Sequence, residues 1–349
     1  MRACSCDTMT VMTHIQAGTD DRHTDKNLSH GGAEDRTKEH HAAGACPSDD
    51  PVAAARTADE RAQSAAGAFA PVEVQTPRSS GWALEPGVSY LVALDVDGTL
   101  VDHDGHMSRG VKDALRAVVA AGHHVVISTG RSKGATLPVI RQAHIDSGFA
   151  VCSNGGVTLR LDPQLEEHYE VTDRVSFDPA NALKALASKL PTAKFALEGA
   201  DGRFYSTERF QDASFGIEAV GVDIHELAEI PAVRLVVYSA TDAPGDFADA
   251  IEQAGLHGVA YSVGWSSWLD VAANGVSKAS ALEQIRQQLG VDPAHTVAMG
   301  DGRNDIEMLQ WAARGVAMGQ APDEVAQISR EVTGSVYEDG AAAVLRTLL

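Results

Sequence analysis

Long apolar runs are absent from the sequence. No stretch approaches the roughly 18 consecutive apolar residues that are needed to span a bilayer. The N-terminus has no short apolar core behind a basic start, and its many acidic residues argue against an organelle transit peptide. We therefore expect no membrane partner, no export signal and a cytoplasmic protein.

Cysteine is scarce, with four residues in a chain of 349. Three of them, Cys4, Cys6 and Cys46, lie in a polar N-terminal stretch, and Cys152 follows an apolar run. These positions predict no regular disulfide framework, and a reducing compartment fits them best. Cys4, Cys6 and the nearby His14 match no usual spacing of zinc ligands, so we interpret them as incidental. Cys152 is interpreted as a small core residue.

Basic residues are outnumbered, since 28 lysines and arginines stand against 48 aspartates and glutamates, for a formal charge of -20. Such a charge repels polyanions and argues against a nucleic-acid partner. It does not exclude a small anionic substrate, because a bound cation and one or two placed basic side chains reverse the potential locally. The hydrophobic content of 44% is typical of globular domains.

The chain divides by composition and by hydrophobic pattern. Residues 1–86 have no helical or strand periodicity and predict a disordered, low-complexity N-terminal tail. Residues 87–171 and 266–349 predict alternating strands and helices of one core domain. Between them, residues 172–265 predict a smaller inserted α/β domain, placed to cover the core as a cap or lid.

Several apolar runs of the predicted core end at polar residues. The run 90–94 ends at Asp95, the run 125–127 leads to Thr129, and a third ends before Asn154. The alternation of such runs with helical patterns predicts an α/β fold with a Rossmann-like parallel sheet. Because parallel strands bring their carboxyl ends to one edge, we expect these polar residues to meet there and to bind a ligand.

Two acidic motifs carry the chemistry of this predicted edge. Asp95 and Asp97 leave a buried strand one residue apart, and Asp301 and Asp305 follow a second apolar run. Buried carboxylates without a counter-charge are costly, and Mg²⁺ is the hard cation that such oxygen ligands prefer. Taken singly, Asp97 with its glycine neighbour could be a turn, and Asp305 could favour a helix N-terminus.

Hydroxyl and cationic side chains complete the pattern. Thr129, after the second strand, and Lys278, at the start of a helix, suit the non-bridging oxygens of a phosphoryl group. Arg131 could reach an anionic group or form a structural salt bridge. His103 is interpreted as a solvated loop residue, and Trp268 more as a packing residue than as a surface for stacking on a substrate. Trp265 is likewise interpreted as a packing residue, and His106 is likewise interpreted as a solvated loop residue.

The motifs occur in a fixed order: Asp-Val-Asp-Gly-Thr-Leu at 95–100, Thr-Gly-Arg at 129–131, Lys278, and Gly-Asp-Gly-Arg-Asn-Asp-Ile-Glu-Met-Leu at 300–309. In these residues the chain resembles the haloacid dehalogenase superfamily, in the Cof-type group of sugar phosphatase-like proteins with an inserted α/β cap of type IIB. The resemblance covers about residues 88–349 and is weakest within the inserted domain.

This resemblance implies a role for each matching residue. Asp95 would be the nucleophile and a ligand of Mg²⁺, and Asp97 would be the general acid and base that offers its backbone carbonyl to the metal. Asp301 would be the third protein ligand. Thr129 and Lys278 would bind the phosphate. Asn154 and Gly155 would lie near the substrate. Asn304 and Asp305 would orient the metal-bound water and Lys278.

The resemblance implies that the chain is a Mg²⁺-dependent phosphatase, which hydrolyses small phosphate monoesters through an aspartyl-phosphate. Sugar phosphates are the first choice of substrate. One alternative is a phosphomutase or phosphotransferase with the same nucleophile. A receiver-like phosphate switch without turnover is the alternative from another class. The receiver fits less well, because such modules are single domains and this chain has a large insertion before Lys278.

Overall fold

The computed structural model describes residues 55–57, 82–207, 219–263 and 267–349, the first of these ranges as backbone only. Most of the predicted tail lies outside the described residues, as do Cys4, Cys6, Cys46, His14 and Trp265. Among the described helices, none is both long enough and apolar enough to cross a membrane.

The predicted parallel core corresponds to a sheet of nine strands, called here the first sheet. Its strands, in spatial order, are Ala55–Thr57, Tyr169–Ser176, Val157–Leu161, Gly148–Cys152, His124–Ser128, Leu91–Leu94, Thr296–Gly300, Arg314–Ala317 and Glu331–Val332. From Gly148–Cys152 to Glu331–Val332 every neighbouring pair is parallel, whereas Val157–Leu161 pairs antiparallel on both sides. The predicted α/β class with a parallel sheet is confirmed.

The central strand Leu91–Leu94 is buried along its whole length because side chains pack on both faces of the sheet. Val92 and Leu94 belong to one hydrophobic cluster, and Leu91 and Ala93 belong to another. This explains why the strand is a continuous apolar run. The helices that accompany the first sheet are Arg109–Ala120, Lys133–Ala143, Lys278–Leu289, Ile306–Trp311, Asp323–Ile328 and Gly340–Arg346.

The helix ends follow local hydrogen bonding. Ser108 caps the helix Arg109–Ala120, since its hydroxyl accepts a hydrogen bond from the backbone N–H of Val111 at 3.1 Å. The segment after the Asp301 loop is divided into a single 3₁₀ turn, Arg303–Asp305, and a helix that begins at Ile306. Three further 3₁₀ turns are Ser153–Gly155, Pro293–His295 and Val336–Glu338.

A second sheet of six strands is built from the middle of the chain. Its strands, in spatial order, are Val259–Val263, Trp268–Ala273, Ala232–Tyr238, Lys194–Gly199, Phe204–Ser206 and Val220–Gly221. The helices Ala180–Lys189, Ile224–Ala228 and Pro244–Ala254 accompany it. Its strands bury a hydrophobic cluster of their own, which includes Phe195, Leu235 and Val271.

The ends of the two sheets differ from the predicted boundaries. The strand Trp268–Ala273 pairs within the second sheet, although the inserted segment was predicted to end at residue 265. Burial alternates only over its first four residues, with Leu269 and Val271 facing the hydrophobic cluster, and so short a period does not identify a strand of this sheet from the sequence. On the N-terminal side, Trp82 packs its ring over Arg314 and against Tyr90. The division into core and inserted domain stays a prediction.

Candidate active site

Asp95 and Asp301 lie side by side at the carboxyl edge of the first sheet. Asp95 follows Leu91–Leu94 and Asp301 follows Thr296–Gly300, and these two strands are neighbouring and parallel. The backbone N–H of Asp95 donates to the carbonyl of Met299 at 3.0 Å, which continues the ladder one residue beyond the strand. The meeting of these two acidic motifs agrees with what the strand pattern predicts.

Lys278 lies between two of the carboxylates and is completely buried. Its ammonium group donates to Oδ1 of Asp95 and to Oδ1 of Asp305, each at 2.6 Å. The other oxygen of Asp305 accepts hydrogen bonds from the backbone N–H groups of Asp301 and Gly302, at 3.0 and 2.9 Å. Asp305 therefore holds Lys278 and the Asp301 loop together.

The pKa values reflect the crowding of these charges. Burial, and then the charge of Asp305, raise the pKa of Asp95 well above its usual range, while Lys278 opposes this. Burial and the Asp305 charge likewise raise the pKa of Asp301 to about 6. Burial alone would lower the pKa of Lys278, but Asp305 and Asp95 outweigh burial and raise it. The cluster thus holds more negative charge than one lysine compensates.

A divalent cation fits this cluster. Asp95, Asp301 and Asp305 each offer a carboxylate oxygen, and these three atoms lie within 4.8 Å of one another. Hard oxygen donors with a net negative charge are the set that Mg²⁺ prefers. The loop leaves room for Asp301 only because residue 98 is glycine: a Cβ on Gly98 would lie 2.1 Å from Oδ2 of Asp301. Gly98 also has a positive φ of 74°.

Asp97 is held by Arg131. The guanidinium donates from Nε to Oδ2 at 2.9 Å and from Nη2 to Oδ1 at 2.5 Å, a two-pronged ion pair. The Asp97 side chain is 61% exposed, so its carboxylate remains open to a substrate. Of the two interpretations of Arg131, the salt bridge is the one that the structure contains, and its partner is a predicted catalytic residue.

The remaining predicted residues surround the acidic cluster. Thr129 is buried, and its hydroxyl accepts a hydrogen bond from the backbone N–H of Arg131 at 3.1 Å. Asn304 donates from Nδ2 to Oδ1 of Asn154 at 3.1 Å. Gly155 has a positive φ of 100°, and a Cβ there would lie 2.2 Å from the carbonyl oxygen of Ser277. Gly155 thereby allows the loop to approach the start of the Lys278 helix.

Comparison with known proteins assigns the family. The model of the haloacid dehalogenase-like hydrolases matches residues 92–345, which is most of the chain. The chain belongs to this family. The match includes the acidic motifs, Lys278 and the whole segment between them, so the predicted family is confirmed.

Relatives of known sequence are similar over nearly their full length. The 5-amino-6-(5-phospho-D-ribitylamino)uracil phosphatase YitU of Bacillus subtilis (strain 168) is 27% identical over 266 residues, which cover 74% of this chain and 96% of that protein. The phosphatase YwpJ of the same organism is 25% identical over 285 residues, which cover 74% of this chain and 99% of that protein.

Solved structures are similar in fold. BT1666 of Bacteroides thetaiotaomicron, described as a phosphatase of the haloalkanoate superfamily, has a TM-score of 0.61 and 27% identity, with 77% of this chain and 99% of that chain covered. The subclass IIB sugar phosphatase BT4131 has a TM-score of 0.63 and 22% identity, with 74% and 98% covered. The predicted enzyme class, a hydrolase of phosphoric monoesters of the haloacid dehalogenase type, is confirmed.

Gln320 is a residue of the site that the sequence did not indicate. Its side-chain nitrogen donates to the carbonyl of Gly98 at 2.5 Å and to Oδ2 of Asp301 at 3.2 Å. Its side-chain oxygen accepts a hydrogen bond from the backbone N–H of Val336 at 3.0 Å. Gln320 therefore joins the two acidic loops of this haloacid dehalogenase-like hydrolase to a third loop, and no local pattern marks such a contact.

Two buried charged residues connect the second sheet to the loops that follow His124–Ser128 and Gly148–Cys152. Arg234 and Glu198 are cross-strand neighbours, and each is at most 3% exposed. Arg234 donates to the carbonyl of Gly130 at 2.5 Å, and Glu198 accepts a hydrogen bond from the hydroxyl of Ser153 at 2.5 Å. These contacts lie one residue from Thr129 and from Asn154, so the second sheet helps to position both.

A cavity of about 670 Å³ opens above the acidic cluster. The first sheet contributes Asp95, Asp97 and Arg131 to its lining, and the second sheet contributes the side chains of Arg234, Trp268 and Asp270. Other lining residues that sequence reasoning left out or counted as solvated are Asp102, His103, Gln320 and Tyr337. His103 was interpreted as solvated, and it contacts the hydroxyl of Tyr337 at 2.5 Å.

Proposed function

We propose that this chain is a Mg²⁺-dependent phosphatase that hydrolyses small phosphate monoesters through an aspartyl-phosphate on Asp95. The observation that carries the proposal is the position of Asp95, at the end of a central parallel strand, in contact with Lys278 and facing a cavity that also contains Asp97. A nucleophile, a fixed cation and a second carboxylate are the groups that phosphoryl transfer through a covalent intermediate requires.

Lys278 has two tasks in this mechanism. Burial and the charge of Asp305 raise the pKa of Asp95, and the ammonium at 2.6 Å opposes this rise, which favours the nucleophilic carboxylate form. Lys278 also places a positive charge beside the phosphoryl group, whose equatorial oxygens carry the charge of the transition state. The Thr129 hydroxyl and the backbone of its loop would bind the same oxygens.

Asp95 and Asp97 divide the chemistry between them. An oxygen of Asp95 attacks phosphorus as the bond to the leaving alcohol breaks, and Asp97 gives its proton to the alkoxide. Asp97, now a carboxylate, takes a proton from a water molecule that attacks the acyl phosphate. This step releases inorganic phosphate and restores the carboxylate of Asp95 and the acid form of Asp97. Arg131 orients the carboxylate form of Asp97, the form that acts as the base, through its two hydrogen bonds.

Mg²⁺ would be held by Asp95, Asp301 and the backbone carbonyl of Asp97, with Asp305 supporting the site. When bound, the ion supplies positive charge that offsets the acidic cluster and the charge of the phosphate. The support for this choice is the donor set, since all three clustered carboxylates are hard oxygen ligands. Gln320 would keep Asp301 in place through its hydrogen bond.

Sugar phosphates are the proposed substrates. YitU is named for a phosphorylated ribitylamino compound and BT4131 is described as a sugar phosphatase, and both are similar to this chain. A phosphomutase or phosphotransferase would share Asp95 and pass the phosphoryl group to another hydroxyl instead of water. The cytoplasmic location and the lack of a nucleic-acid partner stay predictions.

The test is release of inorganic phosphate from a panel of sugar, nucleotide and cofactor monophosphates, with Mg²⁺ and with a chelator. We expect metal-dependent release by the wild type, and a loss of about 10³-fold or more in Asp95→Asn. Asp113→Asn, which changes an exposed carboxylate, is the matched control and should retain activity. Absence of release from every compound contradicts the phosphatase assignment, and an isomerised product without free phosphate identifies a mutase.

A further inference from the structure

Trp268 and Asp270 present a fixed pair of side chains to the catalytic cavity. They lie two residues apart on the strand Trp268–Ala273 and therefore on the same face of the second sheet. The indole Nε1 of Trp268 donates to Oδ2 of Asp270 at 3.0 Å, and its ring lies 6.1 Å from that of Tyr238. Both residues line the cavity that contains Asp95, so they form its wall on the side away from the first sheet.

The chemistry of this pair suits hydroxyl groups on a carbon skeleton. An ionised carboxylate accepts up to about four hydrogen bonds, so Asp270 can accept from substrate hydroxyls in addition to its contacts with Trp268 and Arg234. The indole offers a rigid apolar face for C–H groups, with few rotatable bonds to restrict on binding. A carboxylate beside an aromatic face therefore matches an alcohol with several hydroxyl groups.

The charges around the cavity argue against a second anionic group on the substrate. The described arginines of the lining already oppose carboxylates: Arg131 binds Asp97, and Nη1 of Arg234 lies 3.5 Å from Oδ1 of Asp270. His103 carries a positive charge only when it is protonated. Asp104 opposes that charge, since one of its carboxylate oxygens lies 3.4 Å from the His103 ring.

Asp102 adds a further negative charge to the same lining. Its carboxylate accepts hydrogen bonds from the backbone N–H groups of His106 and Asp104, at 2.9 and 3.0 Å. The hydrogen bond from His106 is the main cause that lowers the pKa of Asp102. This carboxylate is therefore ionised at neutral pH and repels a second phosphate or carboxylate on the substrate.

We infer that Asp270 and Trp268 are specificity-determining residues, which bind the alcohol part of the substrate and select an uncharged, hydroxyl-rich alcohol over one that carries a second anionic group. This inference rests on the proposed phosphatase function, which supplies the position of the phosphoryl group at Asp95. Asp270 binds hydroxyls, Trp268 packs against the carbon skeleton, and Asp102 repels a second charge.

The experiment compares the selectivity of the full-length protein for three esters in the presence of Mg²⁺. Ribose 5-phosphate has an uncharged, hydroxyl-bearing leaving group, fructose 1,6-bisphosphate has an anionic one, and p-nitrophenyl phosphate has an aromatic one without hydroxyls. The variants are Asp270→Asn, which retains size and shape, and Trp268→Phe, which keeps an aromatic ring but removes the indole N–H. The control is Asp249→Asn, an exposed carboxylate of the helix Pro244–Ala254. Thermal unfolding verifies that each variant is folded.

We expect Asp270→Asn to lower the ratio of kcat/KM for ribose 5-phosphate to that for p-nitrophenyl phosphate by about tenfold, because a charged hydrogen-bond acceptor is lost. The same variant should raise the ratio for fructose 1,6-bisphosphate to ribose 5-phosphate, because Arg234 then opposes no carboxylate at residue 270. Trp268→Phe should lower the first ratio by about threefold, since it removes the donor that orients Asp270.

Different results separate the two proposals. If the wild type hydrolyses these esters but both ratios stay within about twofold of the wild type in both variants, the subsite is wrong and the phosphatase function stands. A wild-type preference for the bisphosphate also overturns the subsite. If the wild type hydrolyses none of the esters in the wider panel, the proposed function fails, and the subsite fails with it. A change of similar size in Asp249→Asn would likewise contradict the assignment.

Discussion

The guanidinium of Arg131 binds the carboxylate of Asp97 through two hydrogen bonds, at 2.9 and 2.5 Å, in the lining of the cavity above the acidic cluster. The pair joins the loops that follow two neighbouring strands of the first sheet, Leu91–Leu94 and His124–Ser128. A planar fork matched to a carboxylate fixes orientation as well as distance. Arg131 therefore determines where the proposed general acid points before the substrate arrives.

Replacement of Arg131 by lysine keeps the charge and removes the fork. We expect Arg131→Lys to lower kcat by about tenfold with a smaller effect on KM, because Asp97 is less well oriented for proton transfer. Arg109→Lys, at an exposed ion pair with Asp113, is the control and should leave kcat unchanged. A steady-state comparison of the two variants checks this, and equal kcat values for Arg131→Lys and the wild type would argue against a positioning role.

Lys278 is expected to be needed for stability as well as for activity. Lys278→Met leaves Asp95 and Asp305 buried without their cation, and breaking a buried pair in this way costs about 3–5 kcal/mol. We expect a lower Tm without metal and a larger rise of Tm on adding Mg²⁺ than the wild type has. Lys184→Met, an exposed substitution, serves as the control. If Mg²⁺ shifts the variant less than the wild type, Lys278 is not compensating the acidic cluster.

Alanine substitutions at Gly98 and Gly105 separate the effect of backbone strain from the effect of a steric clash at the proposed metal site. Both have positive φ, 74° and 76°, but a Cβ on Gly98 would meet Asp301 whereas a Cβ on Gly105 would meet nothing within 4 Å. Both alanine variants should lose about 1 kcal/mol of stability from the backbone. Only Gly98→Ala should also weaken Mg²⁺ binding, by tenfold or so, in a calorimetric titration. Equal metal affinities would place Asp301 outside the metal site.

Glu283, which lies outside the active site, makes the stability of the fold depend on pH. Its carboxylate accepts hydrogen bonds from Arg286, Trp311 and Gln287, and the bond from Arg286 is the main cause that lowers its pKa to about 2. Because the folded pKa lies below the unfolded value of 4.5, this stabilisation is complete above pH 4.5 and is lost as the pH falls toward 2.

We therefore expect Glu283→Gln to lower the free energy of unfolding at pH 7 by about 1 kcal/mol, a value that allows for partial solvent screening. The difference from the wild type should shrink as the pH is lowered from 4.5 toward 2. Urea unfolding at several pH values measures it, and a difference that grows on acidification would refute the assignment of the pKa.

The strands and the catalytic edge could be predicted because their causes are local. Leu91–Leu94 is buried on both faces, which makes it a continuous apolar run, and a parallel sheet brings the residues that follow such runs to one edge. Asp95 and Asp301 are close for this reason alone. The contact between Lys278 and Asp305 was implied only by the resemblance, because it joins residues 27 positions apart in sequence.

The residues that sequence reasoning missed act through contacts between distant elements. Gln320 reaches Asp301 and Gly98 from a loop without any motif, and Arg234 reaches Gly130 from the second sheet. The strand Trp268–Ala273 lies beyond the predicted end of the inserted segment at residue 265, and its alternation of buried residues is too short to assign it to a sheet. Only tertiary structure decides which sheet such a strand joins.

The most direct test of the central claim is mass spectrometry of the protein after acid quenching during turnover with Mg²⁺ and a sugar monophosphate. We predict that the peptide containing Asp95 gains the mass of one phosphoryl group, that the modified residue is Asp95, and that Asp95→Asn shows no such gain. Phosphate release by the wild type with no phosphorylated peptide at any quench time, or with the phosphoryl group on another residue, would contradict the account.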